Sequence, residues 1–329
     1  MIRILQIGLG PLGIKTYQYI AEKQSMQTVA AVDINPDLRN KDLGEISDGN
    51  ANGVLIQQEI AAVKNLSEVD AVVLTTSSSM KSIAPQLDHI LDFGLPIVST
   101  CEELTFPWKN DARLADQIDR KAKKKGVAIV STGVNPGFMM DTLPSMLTGV
   151  CKKVDYIHVN RTQDASIRRL PFQQKIGAGL SLEDFEKKKQ TGTLRHVGLT
   201  ESMQFIAESV GWELDHTEDI ISPVIAEADT QTSSMFIPAG HALGVRQIGR
   251  ASYKGKEKIK LIFEAAVGTG KAFDEIKITG QPDINSRIEG GVHGDIATCS
   301  IVLNTIPKIL TASPGLNTMR DIPIVSFIS

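Results

Sequence analysis

Gly8, Gly10 and Gly13 follow the short apolar run Ile4-Leu5-Gln6-Ile7 in the spacing G-x-G-x-x-G, and Asp33 lies twenty residues beyond the last of them. That spacing can hold a pyrophosphate. Gly8 permits a tight turn, Gly10 lets the backbone approach phosphates, and Gly13 brings a new helix against the strand it leaves. Between them, Pro11 and Leu12 open a helix whose N-terminus turns unpaired N–H groups and a partial positive charge toward an anion. Asp33 closes a second apolar run, Thr28-Val29-Ala30-Ala31-Val32. A carboxylate there would accept both hydroxyls of an adenosine ribose and repel a 2′-phosphate, which favours NAD while leaving NADP possible. Arg39, six residues on, is either a phosphate contact or a solvated loop charge. A glycine turn without a ligand shares the spacing, but the strand before it, the helix after it and the acid at this distance favour a dinucleotide.

A hydride-transfer enzyme also needs a polar group over the reacting carbon, and three stretches can supply one. Glu102 and Glu103 follow the apolar run Leu95 to Thr100, Asn135-Pro136-Gly137-Phe138 follows Val127 to Val130, and Asn304 and Thr298 are polar exceptions in an apolar helix. A carboxylate beside a nicotinamide can hold an ammonium group, take its proton and then activate the water that hydrolyses an imine. The plainer reading of one member of the Glu102-Glu103 pair is an acid at a helix N-terminus. Thr75, Thr76 and Ser77 end the run Ala71 to Leu74, where a doubly wound sheet collects its ligands; the same hydroxyls could cap the helix Met80 to Phe93. Arg161, Arg168 and Arg169 could clamp a substrate carboxylate in bidentate fashion; the plainer readings are salt bridges to a partner subunit or solvated charges.

These residues sit in a chain whose apolar runs and helical segments alternate as far as about residue 137, which defines a parallel α/β domain. The segment Asn35 to Gly53 reads as a polar loop. Beyond Pro144 the pattern changes to strand-like runs at Val154 to Arg161, Ile220 to Ala228, Val245 to Tyr253 and Lys258 to Ala266. Between them lie a helix opened by Ser181 with Asp184 and another opened by Thr200. The expected fold class is α/β: an N-terminal Rossmann, doubly wound parallel sheet with a second α+β domain of largely antiparallel sheet. The expected boundaries are 1–137 for the NAD(P)-binding domain, 138–290 for the second, and 291–329 for a C-terminal helix, broken by Pro307, and a tail returning to the first.

The 329 residues carry a net charge of -3 with no strongly basic stretch, which argues against a nucleic-acid partner. Three widely spaced cysteines indicate a reducing compartment and no structural metal, and His196, His241 and His293 lack metal-ligand spacing. With no signal-peptide pattern and no apolar run of membrane-spanning length, the expected location is cytoplasmic.

Ser99-Thr100-Cys101-Glu102-Glu103-Leu104 with Pro107-Trp108, Thr132 to Phe138 with Asp141, and Pro314-Gly315-Leu316 with Met319 and Asp321-Ile322-Pro323 carry a resemblance along nearly the whole chain. The sequence resembles the dihydrodipicolinate reductase-like reductases, and within them the 2,4-diaminopentanoate dehydrogenases and native amine dehydrogenases. The resemblance implies NAD(P)-dependent interconversion of an amine and a ketone plus ammonia. It matches the family's catalytic glutamate to the Glu102-Glu103 pair, Glu102 foremost, and puts the Asn-Pro-Gly-Phe turn beside the nicotinamide. It also implies a homodimer with the second-domain sheet at the interface. Dihydrodipicolinate reductase proper is similar only in its nucleotide domain, because its paired histidines and Lys-x-Asp-Ala-Pro-Ser-Gly-Thr run are absent. The stretch Asp164 to Pro171, followed by Gln173 to Gly179, departs from the simple-amine enzymes and leaves the amine open. An imine or carbonyl reductase of the same fold, and a dinucleotide-binding regulatory protein without turnover, are the competing readings.

Overall fold

The structure, a computed structural model, describes residues 1–168 and 170–329, which form two compact units, Met1–Phe138 with His293–Ser329, and Met139–Val292. The first division falls one residue beyond the boundary expected from sequence and the second two residues beyond. The first unit begins with β1 (Ile2–Ile7), α1 (Pro11–Ala21), β2 (Met26–Val32), α2 (Leu43–Ser47), β3 (Ile56–Gln57) and β4 (Ala71–Leu74). It continues with α3 (Met80–Asp92), β5 (Ile97–Ser99), α4 (Ala112–Lys125) and β6 (Ala128–Ser131). The second unit contains α5 (Thr142–Leu147), β7 (Lys153–Asp164), α6 (Leu170–Lys175), α7 (Leu182–Gln190), α8 (Leu199–Ser209) and β8 (His216–Ile225). It ends with β9 (Thr230–Gln231), β10 (Phe236–Ile237), β11 (Ala242–Tyr253), β12 (Lys256–Ala266), β13 (Phe273–Gln281) and β14 (Ile284–Glu289). The chain then rejoins the first unit through α9 (Gly294–Ile309) and β15 (Gly315–Asn317).

Seven parallel strands in the order β15-β6-β5-β4-β1-β2-β3 make the first sheet. Its central strands are largely apolar: Ile4, Leu5, Val72, Val73, Ile97 and Val98 are all fully buried, as helices on both faces require. The order reverses between β1 and β4, and ligands of such sheets bind outside the carboxyl ends of the strands at that switch. β3 and β15, two and three residues long, show too little pattern to be read from sequence. The expected loop from Asn35 to Gly53 contains α2, because the Asp42 carboxylate accepts from the amides of Gly44, Glu45, Asn52 and Gly53 at 2.7–3.2 Å. Those amides, Asn52's foremost, hold its carboxyl below the usual carboxylate range. Nor does Pro307 end the last helix. It lies inside the final turn of α9, and the Leu310 amide still donates to the Ile306 carbonyl.

The second unit is a mixed sheet in the order β14-β13-β7-β12-β11-β8, antiparallel except for the parallel pair β7 and β12. Packing of α8 on this sheet needs Gly249, where a Cβ would sit 3.0 Å from Leu199 and from Met203. The helix starts at Leu199 after Gly198, one residue ahead of the expected Thr200 cap. Ser181 caps α7 as its spacing requires, accepting from the Asp184 amide at 3.1 Å and donating to the Asp184 carboxylate at 2.9 Å. Asp141 caps α5 and accepts from Ser202 Oγ at 2.8 Å, so this motif residue ties α5 to α8. No helix among the described residues is long and apolar enough to cross a membrane.

Candidate active site

The glycine turn is built to leave space at one glycine and none at the other two. A Cβ on Gly13 would lie 2.0 Å from the Gly8 carbonyl oxygen, and Gly8, at φ +90°, would meet Thr75 O at 2.8 Å. A Cβ on Gly10 would meet nothing within 4 Å. Gly13 therefore presses α1 onto the strand end, while open space lies in front of Gly10 for a ligand. Gly10 stands at the N-cap of α1 with Pro11 as its first residue, and no side chain caps that end. Pro11 and Leu12 thus begin a helix whose leading N–H groups are not occupied by a cap.

Asp33 is fixed against this turn: its carboxylate accepts from the Leu9 amide at 2.6 Å and from the Asn35 amide at 2.8 Å. Thr75 holds the other side, donating from Oγ1 to Gly8 O at 2.8 Å. Thr76 donates to Gln86 at 2.7 Å, and Ser77 accepts from the Ser79 amide at 3.1 Å. Gly8, Gly10, Asp33, Thr75 and Thr76 all line a cleft of about 530 Å³. Gln58, Glu59, Gln86 and His89 line it too, and the sequence offered no signal for them, because the two-residue strand that delivers Gln58 and Glu59 was not legible. Arg39 is exposed and does not line this cleft.

Along the same edge, Ser131 Oγ at the end of β6 donates to Cys101 O at 2.6 Å, joining the segment after β5 to the segment after β6. The turn after β6 closes on itself. Gly137 has φ +123°, where a Cβ would lie 2.4 Å from the Gly133 amide nitrogen; Thr298 on α9 accepts from the Val134 amide at 3.2 Å. Asn135, Pro136 and Gly137 are buried in this turn and Phe138 is partly exposed at its end. The structure thus brings Thr298, the Asn135 turn and the Glu102 segment to neighbouring strand ends. Burial pushes the adjacent Cys101 thiol up to about 12, so it stays protonated at neutral pH and is no nucleophile.

Glu102 and Glu103 open a short 3-10 turn and are partly buried. The Glu103 carboxylate accepts from the Met80 amide at 2.7 Å, and its own amide donates to Ser78 O, so it caps α3 where the hydroxyl of Ser79 does not. From β2, which carries Asp33, to β6, which carries the Asn135 turn, there are four strand spacings, about 19 Å. An extended dinucleotide can lay its two halves along such a length. The residues present therefore fit it.

Two expectations are corrected by position. Asn304 accepts from the Ile328 amide at 3.2 Å and lines a separate cleft with Glu22 and Phe327, at the opposite end of α1 from the glycine turn. Arg161 is 1% exposed and cannot clamp a substrate. Its Nη1 pairs with Asp274 at 2.9 Å and its Nη2 donates to Val292 O at 2.7 Å. The Gln163 amide, with its oxygen turned to the guanidinium, accepts from Nη2 at 2.6 Å and Nε at 3.2 Å. Burial pushes the Asp274 carboxyl up, against the pull of Arg161 and the Val292 amide. Arg168 lies over the Phe172 ring, 4.2 Å from its centre, and Arg169 falls outside the described residues. Among the described residues no three His, Cys, Asp or Glu side chains gather as a metal ion would need.

Residues 138–329 match the model of the 2,4-diaminopentanoate dehydrogenase C-terminal domain. The 2,4-diaminopentanoate dehydrogenase of Acetoanaerobium sticklandii is 30% identical over 98% of this chain and 94% of its own length. An amine dehydrogenase from Streptomyces virginiae is 21% identical over 98% of this chain and 97% of its own. The structure of an amine dehydrogenase from Mycobacterium smegmatis has the same fold, with a TM-score of 0.84 at 21% identity, covering 99% of this chain and 97% of that one. Both the family match over more than half the chain and the near full-length relative lead to one assignment: the chain belongs to the 2,4-diaminopentanoate dehydrogenase family.

Proposed function

We propose that this oxidoreductase interconverts a small amine or diamino acid with the corresponding ketone and ammonia, using NAD in preference to NADP. The observation that carries the reading is the carboxylate pair at the carboxyl edge of β5, where Glu103 caps α3 and Glu102 is the member that the resemblance matches to the family's catalytic glutamate. A bound nicotinamide would supply the acceptor for the hydride that leaves the amine carbon. Glu102 holds the substrate ammonium by charge and takes one proton from it, which frees the nitrogen lone pair as the hydride departs. Once that proton has passed to solvent, the same carboxylate deprotonates the water that adds to the C=N bond and returns the proton to the leaving ammonia. Buried Cys101, the Asn135 turn and Thr298 fix the segments around it. Three free cysteines, two of them buried, support a reducing, cytoplasmic setting.

Asp33 supports the choice of NAD, since its carboxylate is held beside the glycine turn and would repel a 2′-phosphate. The test follows reduction of NAD and NADP with 2,4-diaminopentanoate, other diamino acids and simple amines. Amine-dependent reduction with NAD ahead of NADP is expected, and Asp33→Ala should narrow the difference. If no amine supports reduction of either dinucleotide, the reading is wrong.

The partner proposed is a second copy of the chain, meeting across the sheet of the second unit. Gly249 faces α8, so Ile248 and Arg250 face the other way. Ile220, Ile248 and Ile262 align in one row across β8, β11 and β12 on that face, and Ile220 is 44% exposed. Charges of both signs flank the row, with Arg246 against Glu264 and Arg250 against Glu257. A surface of this kind can meet its own copy about a two-fold axis. Light scattering should give the mass of a dimer, and Ile220→Lys with Ile248→Asp should give a folded monomer. A wild-type monomer at micromolar concentration would refute the interface.

A further inference from the structure

The cleft at the glycine turn carries a feature that dinucleotide binding alone does not require, and the argument rests on that binding. Past Asp33 its walls turn apolar. Ile34 follows the ribose acid with 87% of its surface exposed, facing a cleft also lined by the buried Ile60 and Ile90 and by His89. A large aliphatic side chain left in water beside a ribose-binding acid is suited to being covered by a flat ring. Two polar groups stand at this part of the cleft. Gln58 and Glu59 lie just beyond β3, the outermost strand of the sheet, and both line the cleft. Glu59 occupies the N-cap position of the turn Ile60–Ala62 without a side-chain cap bond. Among the described residues neither the Glu59 carboxylate nor the Gln58 amide has a hydrogen bond or ion pair. Their neighbours are engaged: Gln86 bonds Thr76 and Ser82, and Asp33 bonds two amides.

We propose that Glu59 and Gln58 read the amino edge of the adenine base, so that the site selects a 6-aminopurine dinucleotide over its 6-oxo counterpart. An ionised carboxylate only accepts, whereas an amide both donates and accepts. Adenine presents an amino donor at C6 beside a ring-nitrogen acceptor, which Glu59 and Gln58 complement in turn. Hypoxanthine presents a carbonyl oxygen at C6 and a protonated N1, so it sets oxygen against the Glu59 carboxylate. A site that hydrogen-bonds a ligand group rejects the analogue lacking it, because its own polar atoms are then left without partners. At a surface-exposed carboxylate the discrimination is expected to be roughly tenfold.

Titrating the protein with NADH and with reduced nicotinamide hypoxanthine dinucleotide, by the fluorescence of the bound dihydronicotinamide, tests this without turnover. Wild type should bind NADH about tenfold more tightly than the hypoxanthine analogue. Glu59→Ala, at an exposed position, should leave the thermal midpoint unchanged and bring the ratio to within about twofold by weakening NADH. A ratio unchanged in Glu59→Ala overturns the proposal, as does a variant whose sole effect is tighter NADPH, since Glu59 would then face the ribose. If wild type binds neither dinucleotide, it is the dinucleotide reading itself that fails, an outcome separate from a changed or unchanged ratio.

Discussion

Glu102→Gln is expected to bind NAD as wild type does and to lose amine oxidation by about a hundredfold to ten-thousandfold, the range general acid–base groups contribute. Glutamine keeps the size and reach of the side chain but can neither hold an ammonium by charge nor take its proton. Binding should survive because Gly8, Gly10, Gly13 and Asp33 are untouched. The neighbouring acid is the control, and the structure predicts its behaviour separately. Glu103→Gln keeps an acceptor for the Met80 amide and should be nearly silent in kcat. Glu103→Ala removes that acceptor from the start of α3 and should cost about 0.5–2 kcal/mol of stability. Steady-state kinetics beside thermal melts separate the two residues. Full activity in Glu102→Gln with loss in Glu103→Gln would transfer the chemistry to Glu103, and activity in both would refute the mechanism.

Arg161→Ala should destabilise the second unit by about 3–5 kcal/mol, because it leaves the Asp274 carboxylate buried without its partner. Trp212, stacked near Tyr253 in that unit, can report the transition alone once Trp108 is replaced by phenylalanine, since the chain has two tryptophans. The apolar double replacement Arg161→Met with Asp274→Leu should recover part of the loss only. The Val292 amide and carbonyl are bonded to Asp274 and Arg161, and neither new side chain can serve them. Arg168→Ala should unfold like wild type and raise KM for a diamino acid while sparing a simple amine, if it anchors a carboxylate. A shift of less than about 1 kcal/mol in Arg161→Ala, the order of an exposed pair, would mean the buried pair contributes little.

These residues also show what a sequence can and cannot carry. The glycine turn was legible because each glycine answers a local demand: a positive φ at Gly8, contact at Gly13, open space at Gly10. The cap at Ser181 was legible for the same reason, since its partner lies three residues away. Arg161 was misread because its partner, Asp274, is 113 residues distant. Asn304 was misread because a polar residue in an apolar helix can answer to either end of it, and the segment that claims it, at Ile328, has no periodicity. Glu103 stood as one of an interchangeable pair until the fold brought the start of α3 beside it.

β15 has one further consequence, for the order in which the molecule can be made. It is the strand beyond β6 at one edge of the first sheet, and it is encoded after the whole of the second unit. As the chain leaves the ribosome, β6 emerges early with its outer row of amides and carbonyls unmatched. α1 likewise waits for α9, the helix it packs against. The usual expectation that the N-terminal domain is finished first does not hold here. The second unit, continuous in sequence, can close while the first is still an open sheet with a bare edge, the form in which strands recruit the wrong neighbour. Synthesis of this protein therefore passes through an interval in which β6 is still an open edge of the first sheet.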